Sequence, residues 1–176
     1  YSGLDAARNK EIARLLHLLE SDPDRGLRFA LPIGGDAHRG LATPGDRLVE
    51  RPTDFDLGRL GGGHSSDFWD LSSGYQYKLT ERYRELANRE LQLGRHRRAA
   101  YIFAELLADF DAAAGALVEG RHWRAAAVLY SKSLNRPFDA AKCLEPGGLW
   151  TEAIALYEEL KEYETAGDLL ASLDQR

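Results

Sequence analysis

At 176 residues the chain has room for one domain with a real core and little beyond it. Hydrophobic residues at 44% and charged residues at 29% match a soluble globular protein, and the formal charge of −5 argues against a general phosphate-tracking surface. The single cysteine, Cys143, excludes an intrachain disulfide and a cysteine-based zinc cluster.

Arg outnumbers Lys 18 to 5, a bias expected of a GC-rich bacterial genome. No apolar run approaches the roughly 20 residues of a membrane-spanning helix, and no signal-peptide pattern opens the chain. The chain begins at Tyr1 and holds no Met, which reads as a piece of a longer, cytoplasmic bacterial protein.

The first element expected is an amphipathic helix from about Asp5 to Glu20. Ile12, Leu15, Leu16 and Leu19 recur at helical spacing, and Arg8, Lys10, Glu11 and Arg14 lie elsewhere on the wheel. Ser21-Asp22-Pro23-Asp24 ends it. From Pro23 to Gly74 the character changes. Four of the six prolines and ten of the seventeen glycines fall there, which excludes long helices. Phe29, Phe55, Phe68 and Trp69 are costly to leave in water, so partial order is expected, with a short turn of helix or a small hairpin. Helical periodicity resumes near Tyr77 through Leu79, Tyr83, Leu86 and Leu93, and Gly94 stops it as a left-handed cap can.

From Gly94 to Leu170 one short pattern is written three times. Arg97, Trp123 and Trp150 each follow a glycine (Gly94, Gly120, Gly147) by three residues. Ala100, Ala126 and Ala153 come three later, then Phe103, Leu129 and Leu156. Each copy closes on an aromatic, an acid, any residue and an alanine, as in Phe110-Asp111-x-Ala113, Phe138-Asp139-x-Ala141 and Tyr163-Glu164-x-Ala166. Counted on the glycines, the copies lie 26 and 27 residues apart (120−94, 147−120). Such a period marks a stacked helical array. It predicts helices over 96–107, 110–119, 123–134, 138–144, 150–160 and 163–172.

The third copy, Gly148-Leu149-Trp150-Thr151-Glu152-Ala153-Ile154-Ala155-Leu156-Tyr157, resembles the middle of a tetratricopeptide (TPR) repeat. The period is shorter than that family's 34 residues, which implies shorter helices and tighter turns. The resemblance implies the helix-pair architecture and leaves the ligand open. Leu18-Leu19-Glu20-Ser21-Asp22-Pro23, Leu27-Arg28-Phe29-Ala30-Leu31-Pro32 and Arg39-Gly40, followed by helical repeats, also look like bacterial systems that combine a MoxR-type ATPase, a von Willebrand A protein and a β-propeller protein. That likeness implies an ATPase-linked assembly, with an ATPase or a propeller protein among the partners.

Several groups carry candidate chemistry. Gly61-Gly62-Gly63-His64-Ser65-Ser66-Asp67 with Asp70 suggests a phosphate or metal loop, but lacks the Lys and the second His such sites need, so a flexible linker is favoured. Arg95-His96-Arg97-Arg98, echoed by Arg121-His122, is the one basic cluster. It offers a patch for an acidic partner or RNA, or a solvated helix start whose His96 and Arg97 cross to acids of the neighbouring helix. Tyr101, Tyr130 and Tyr157 ride on the repeat helices, and some of them would line the face where a peptide docks if the array is concave. Trp123 and Trp150 are expected in the core, Cys143 as a buried inert thiol, and the acids Glu152, Glu158, Glu159, Glu162, Glu164 and Asp168 as an exposed face. No Ser-His-Asp set, cofactor fingerprint or paired-carboxylate arrangement emerges.

The expectation is one all-α domain over 1–176: an N-terminal helix over 1–22, an irregular segment over 23–74, and a right-handed α-α superhelix of TPR-like hairpins over 75–176, about eight helices in all. Its expected work is to hold other proteins, with no catalytic, cofactor or metal residues. The alternative is a nucleic-acid-binding or regulatory module using Arg95, Arg97, Arg98 and Arg121.

Overall fold

A computed structural model describes residues 2–34, 39–42, 46–57, 67–159 and 163–174. Those residues form an almost entirely helical protein, in order α1 (Ser2–Ser21), α2 (Pro23–Phe29), β1 (Arg39–Ala42), β2 (Asp67–Asp70), α3 (Ser73–Gln92), α4 (His96–Tyr101), α5 (Phe110–Glu119), α6 (Trp123–Val128), α7 (Pro137–Leu144), α8 (Trp150–Glu159) and α9 (Tyr163–Asp174). The chain divides into two compact units, Tyr1–Asp109 and Phe110–Arg176.

In the first unit α1 packs on α2 and α3, and α3 packs on α4. Ile12, Leu15 and Leu19 of α1, Leu27 of α2, and Leu79 and Tyr83 of α3 are buried. Each such side chain contributes roughly 1.5–3 kcal/mol. Helix α2, seven residues long, is the short turn of helix expected in the 23–74 segment, placed at its start. Asp22-Pro23 does end α1, but it also starts a helix: the Asp22 carboxylate accepts from the Arg25 N–H at 3.4 Å, and Pro23 takes a first-turn position where its missing donor is harmless. It raises the expected eight helices to nine among the described residues. Helix α3 starts four residues before Tyr77, capped by the Ser72 hydroxyl, which accepts from the Tyr75 N–H at 3.2 Å.

The irregular segment is tied down at several points. β1 and β2 pair antiparallel, Arg39 opposite Asp70 and Ala42 opposite Asp67, and form a two-stranded ribbon. Trp69 is fully buried, and the Arg8 guanidinium lies 5.0 Å over its ring. The Glu11 carboxylate of α1 accepts from the Leu48 N–H at 3.1 Å and from Arg14 at 2.8 Å. Tyr83 donates its hydroxyl to the Leu31 carbonyl at 2.9 Å, and Arg51 donates to the Ala30 carbonyl. Gly34 lies against the Leu107 carbonyl, closer than any Cβ permits, and donates its N–H to the Leu106 carbonyl at 3.0 Å.

In the second unit α5 packs on α6, α6 on α7, α7 on α8, and α8 on α9. The small residues Ala113, Ala114, Ala126, Ala140, Ala141 and Ala153 are all fully buried, which lets neighbouring helices approach closely.

The repeat is written most clearly in the backbone. Gly94, Arg121 and Gly148 adopt left-handed φ of 76°, 62° and 74°, at a spacing of 27 and 27 (121−94, 148−121). At each, the next N–H bonds five residues back, Arg95 to Glu90, His122 to Leu117 and Leu149 to Leu144, at 2.8–2.9 Å. The left-handed residue itself bonds three back, to Leu91, Val118 and Glu145, at 3.0 Å. This is a Schellman cap made three times.

The caps correct the register taken from the glycines. His96, Trp123 and Trp150 are the matching first helical residues, and Ala99, Ala126 and Ala153 the matching small ones. Gly120 and Gly147 stand one residue before the left-handed position. Gly147 is needed for another reason: a Cβ there would lie 2.5 Å from the Trp123 ring.

α4 and α6 share a second device. Each runs on into a π-helical turn, Ile102–Leu106 and Leu129–Ser133, and each turn is followed by a left-handed residue, Ala108 or Asn135, at φ 52°. A π turn inserts one extra residue. α8 continues as α-helix through Glu159. Accordingly the second helix starts 14, 14 and 13 residues after the first (110−96, 137−123, 163−150).

Candidate functional site

The basic cluster is drawn inward by its own unit. Arg95 and Arg98 both reach Asp24 of α2, at 3.7 and 3.2 Å. Arg95 also lies 3.4 Å from Glu90, a carboxylate with no exposed surface, whose other oxygen is 4.0 Å from Arg89. Arg97 grips the 46–57 segment, donating to the Asp54 carboxylate at 2.9 Å and to the Phe55 carbonyl at 2.7 Å. The cations at the start of α4 are therefore met by Asp54 and Asp24, which lie 43 to 74 positions earlier (97−54, 98−24), and these acids offset their misfit with the helix dipole. Arg121 belongs to the second unit, where it is exposed at its left-handed turn.

The three tyrosines occupy different settings. Tyr101 is buried. Tyr157 is buried, donates to Glu145 at 3.0 Å, and meets Phe138 edge-on at a ring separation of 5.6 Å. Burial and the Glu145 carboxylate push its phenol up to about 12. Tyr130 is half-buried, and burial with Cys143, Asp139 and Asp111 nearby raises its phenol as well. Cys143 is buried, and that burial with Asp139 raises the thiol, which leaves it little thiolate at neutral pH. Trp123 and Trp150 are half-buried. Glu152, Glu158, Glu159 and Asp168 are exposed, and Glu152 pairs with Arg124 at 2.6 Å. Glu162 and the Glu164 side chain lie outside the described residues, as do Gly61 to Ser66 and the side chains of Asp67 and Asp70. Among the described residues no cluster of His, Cys, Asp and Glu is placed to hold a metal ion, and no helix is long and apolar enough to cross a membrane.

A surface that the sequence reading did not single out lies between α1 and α3. It is a groove of about 700 Å³, with Ala13, Leu16 and His17 from α1 and Tyr75, Tyr77 and Lys78 from α3 among its lining. Tyr77 is 66% exposed. Arg82 holds one end, donating to the Leu19 carbonyl at 3.1 Å and to Glu85 at 2.9 Å, so the two helices are clamped. Glu20 and Glu81 add acid to the lining. The groove thus sets an exposed aromatic beside apolar surface, with charges of both signs around it. Its signal in the sequence was slight: Tyr77 falls off the face traced by Leu79, Tyr83 and Leu86, whereas Tyr75 falls on it.

No family model matches the chain, and no curated protein or solved structure matches it either.

Proposed function

We propose that this chain is a non-enzymatic protein-interaction scaffold, a TPR-like array of short helical hairpins that holds a partner through the groove between α1 and α3. The observation that carries it is Tyr77, largely exposed in a groove whose two helices are clamped by Arg82. An aromatic held on a rigid helix gives contact area with little loss of side-chain entropy on binding. The three Schellman caps support a repeat of one structural unit. The likeness to ATPase, von Willebrand A and β-propeller systems points to an ATPase or a propeller protein as the partner, in a bacterial cytoplasm. The nucleic-acid alternative has less support, because Arg95, Arg97 and Arg98 are engaged with Asp24, Glu90 and Asp54.

A photoreactive phenylalanine at position 77, irradiated in native extract, tests the scaffold. The expected outcome is one defined protein adduct at low and high salt, lost when Leu16→Asp is added. Adducts only with nucleic acid that vanish at high salt would refute it, as would no adduct at all.

A further inference from the structure

The three Schellman caps bring equivalent residues together, and the first copy departs from the other two in the chemistry of its buried one. The carbonyl that accepts the five-back bond belongs to Glu90, Leu117 and Leu144, and the N–H that donates it to Arg95, His122 and Leu149. A Schellman motif commonly joins these two positions by an apolar contact. Leu117 and Leu144 are buried, and Glu90 has no exposed surface at all. The first copy thus sets a carboxylate where the others set leucine, and Arg95 donates to it across the cap at 3.4 Å. Its other oxygen accepts no hydrogen bond among the described residues and lies 4.0 Å from Arg89. Leucine fills the same place without the cost of desolvating a carboxylate, so the stability of the cap does not account for Glu90.

The first copy also carries a relay of charge out to α2. The Nη1 of Arg95 that bonds Glu90 is the atom that faces Asp24, at 3.7 Å, and Arg98 meets the same Asp24 oxygen at 3.2 Å. Asp24 stands in the first turn of α2. α1 and α2 are locked together, because Gly26 lies so close to α1 that a Cβ there would stand 2.9 Å from the Leu19 Cα. This pair meets α3 and α4 through Asp24 at one point and through the Leu19 carbonyl, which accepts from Arg82 at 3.1 Å, at another. The groove lies between α1 and α3, so its width follows from how those two points are held.

We infer that Glu90 is a positioning residue for the α1–α3 groove: it fixes the Arg95 guanidinium, through which Asp24 and the α1–α2 pair are seated against α4. The inference rests on the scaffold reading for the purpose of the groove, and adds what sets its shape. A hydrogen-bonded charge pair is directional where an apolar contact is not, so it selects one seating of α2 at some cost in stability.

Hydrogen exchange of the intact chain, read by mass spectrometry, tests this with Glu90→Leu, which installs the residue of the other two copies. The expected result is about fivefold faster exchange in α2, no change in α5 to α9, and a urea midpoint no lower than the parent's. A residue that serves the cap alone predicts α2 exchange equal to the parent's or slower, and that result would overturn the inference. A Glu90→Leu chain that fails to fold would overturn it too, because the carboxylate would then hold up the whole unit. Asp24→Asn should also accelerate α2, and adding Glu90→Leu to it should give no further increase, since both act through Arg95; additive effects would count against the relay. The position-77 adduct should fall by a similar factor in Glu90→Leu. An undiminished adduct beside a loosened α2 would refute the link to the groove. A parent chain that gives no adduct would instead refute the scaffold reading, and the exchange result would still decide what Glu90 holds.

Discussion

Arg121 is the sharpest place to test whether the left-handed caps organise the repeat. It holds φ 62° where Gly94 and Gly148 hold 76° and 74°. A residue with a Cβ in that region costs roughly 1–2 kcal/mol, and glycine gives back part of the gain through its larger unfolded-state entropy. Arg121→Gly should therefore stabilise the protein by about 0.5–1 kcal/mol, raising Tm by about 1–4 °C for a chain of this size. The mirror substitutions fix the interpretation. A Cβ at Gly94 would meet nothing within 4 Å, and one at Gly148 only the Trp150 indole nitrogen at 3.9 Å. Gly94→Ala and Gly148→Ala thus add no clash, and each should lose about 1 kcal/mol through the backbone alone. The assay is thermal and urea unfolding followed by circular dichroism. If Arg121→Gly lowers Tm while Gly94→Ala and Gly148→Ala leave it unchanged, the caps are not what positions these helices.

Three further outcomes are expected. Gly34→Ala places a Cβ against the Leu107 carbonyl, where only backbone movement gives room; it should lose about 2–3 kcal/mol in urea unfolding, and an unchanged midpoint would refute the contact. Arg97→Ala releases Asp54 and the Phe55 carbonyl, so limited proteolysis between residues 46 and 57 should accelerate several-fold, while global stability falls by no more than about 1 kcal/mol because the ion pair is largely exposed. Tyr157 has its phenol raised to about 12, so the stability it contributes is fully present below the unfolded value near 10 and is lost as pH rises through the folded one. Tyr157→Phe should cost about 0.5–1.5 kcal/mol at neutral pH, and the gap between variant and parent should narrow between about pH 10 and 12. A constant gap across that window would show that the hydroxyl is not what titrates.

Much of the helical pattern was legible because its causes are local. Ile12, Leu15 and Leu19 recur at helical spacing, and Gly94 is an ordinary left-handed stop, so α1 and the end of α3 could be placed from neighbours alone. The reading slipped by one residue in the first copy of the repeat. It followed the glycines, and the backbone at the second turn put Arg121 in the left-handed position that glycine takes in the other two copies. The π turns were illegible for a similar reason: Ile102–Leu106 and Leu129–Ser133 share no residue that demands an extra residue per turn.

By itself the sequence determined that the chain is helical, that a hairpin-sized unit is written three times, and that small residues recur where helices meet. Those properties depend on hydrophobic period and side-chain volume, which each stretch carries within itself. Only the tertiary structure decided what the arginines of α4 do, because Asp24 and Asp54 lie 71 and 43 residues away from Arg95 and Arg97 (95−24, 97−54) and nothing local selects them. It also decided that Tyr101 and Tyr157 are buried while Tyr77 is exposed, since the exposure of an aromatic depends on which helix faces are covered. Leu117, Leu144 and Leu170 make the same point across the three copies: the residue is identical, yet it is buried in the first two and 46% exposed in the third.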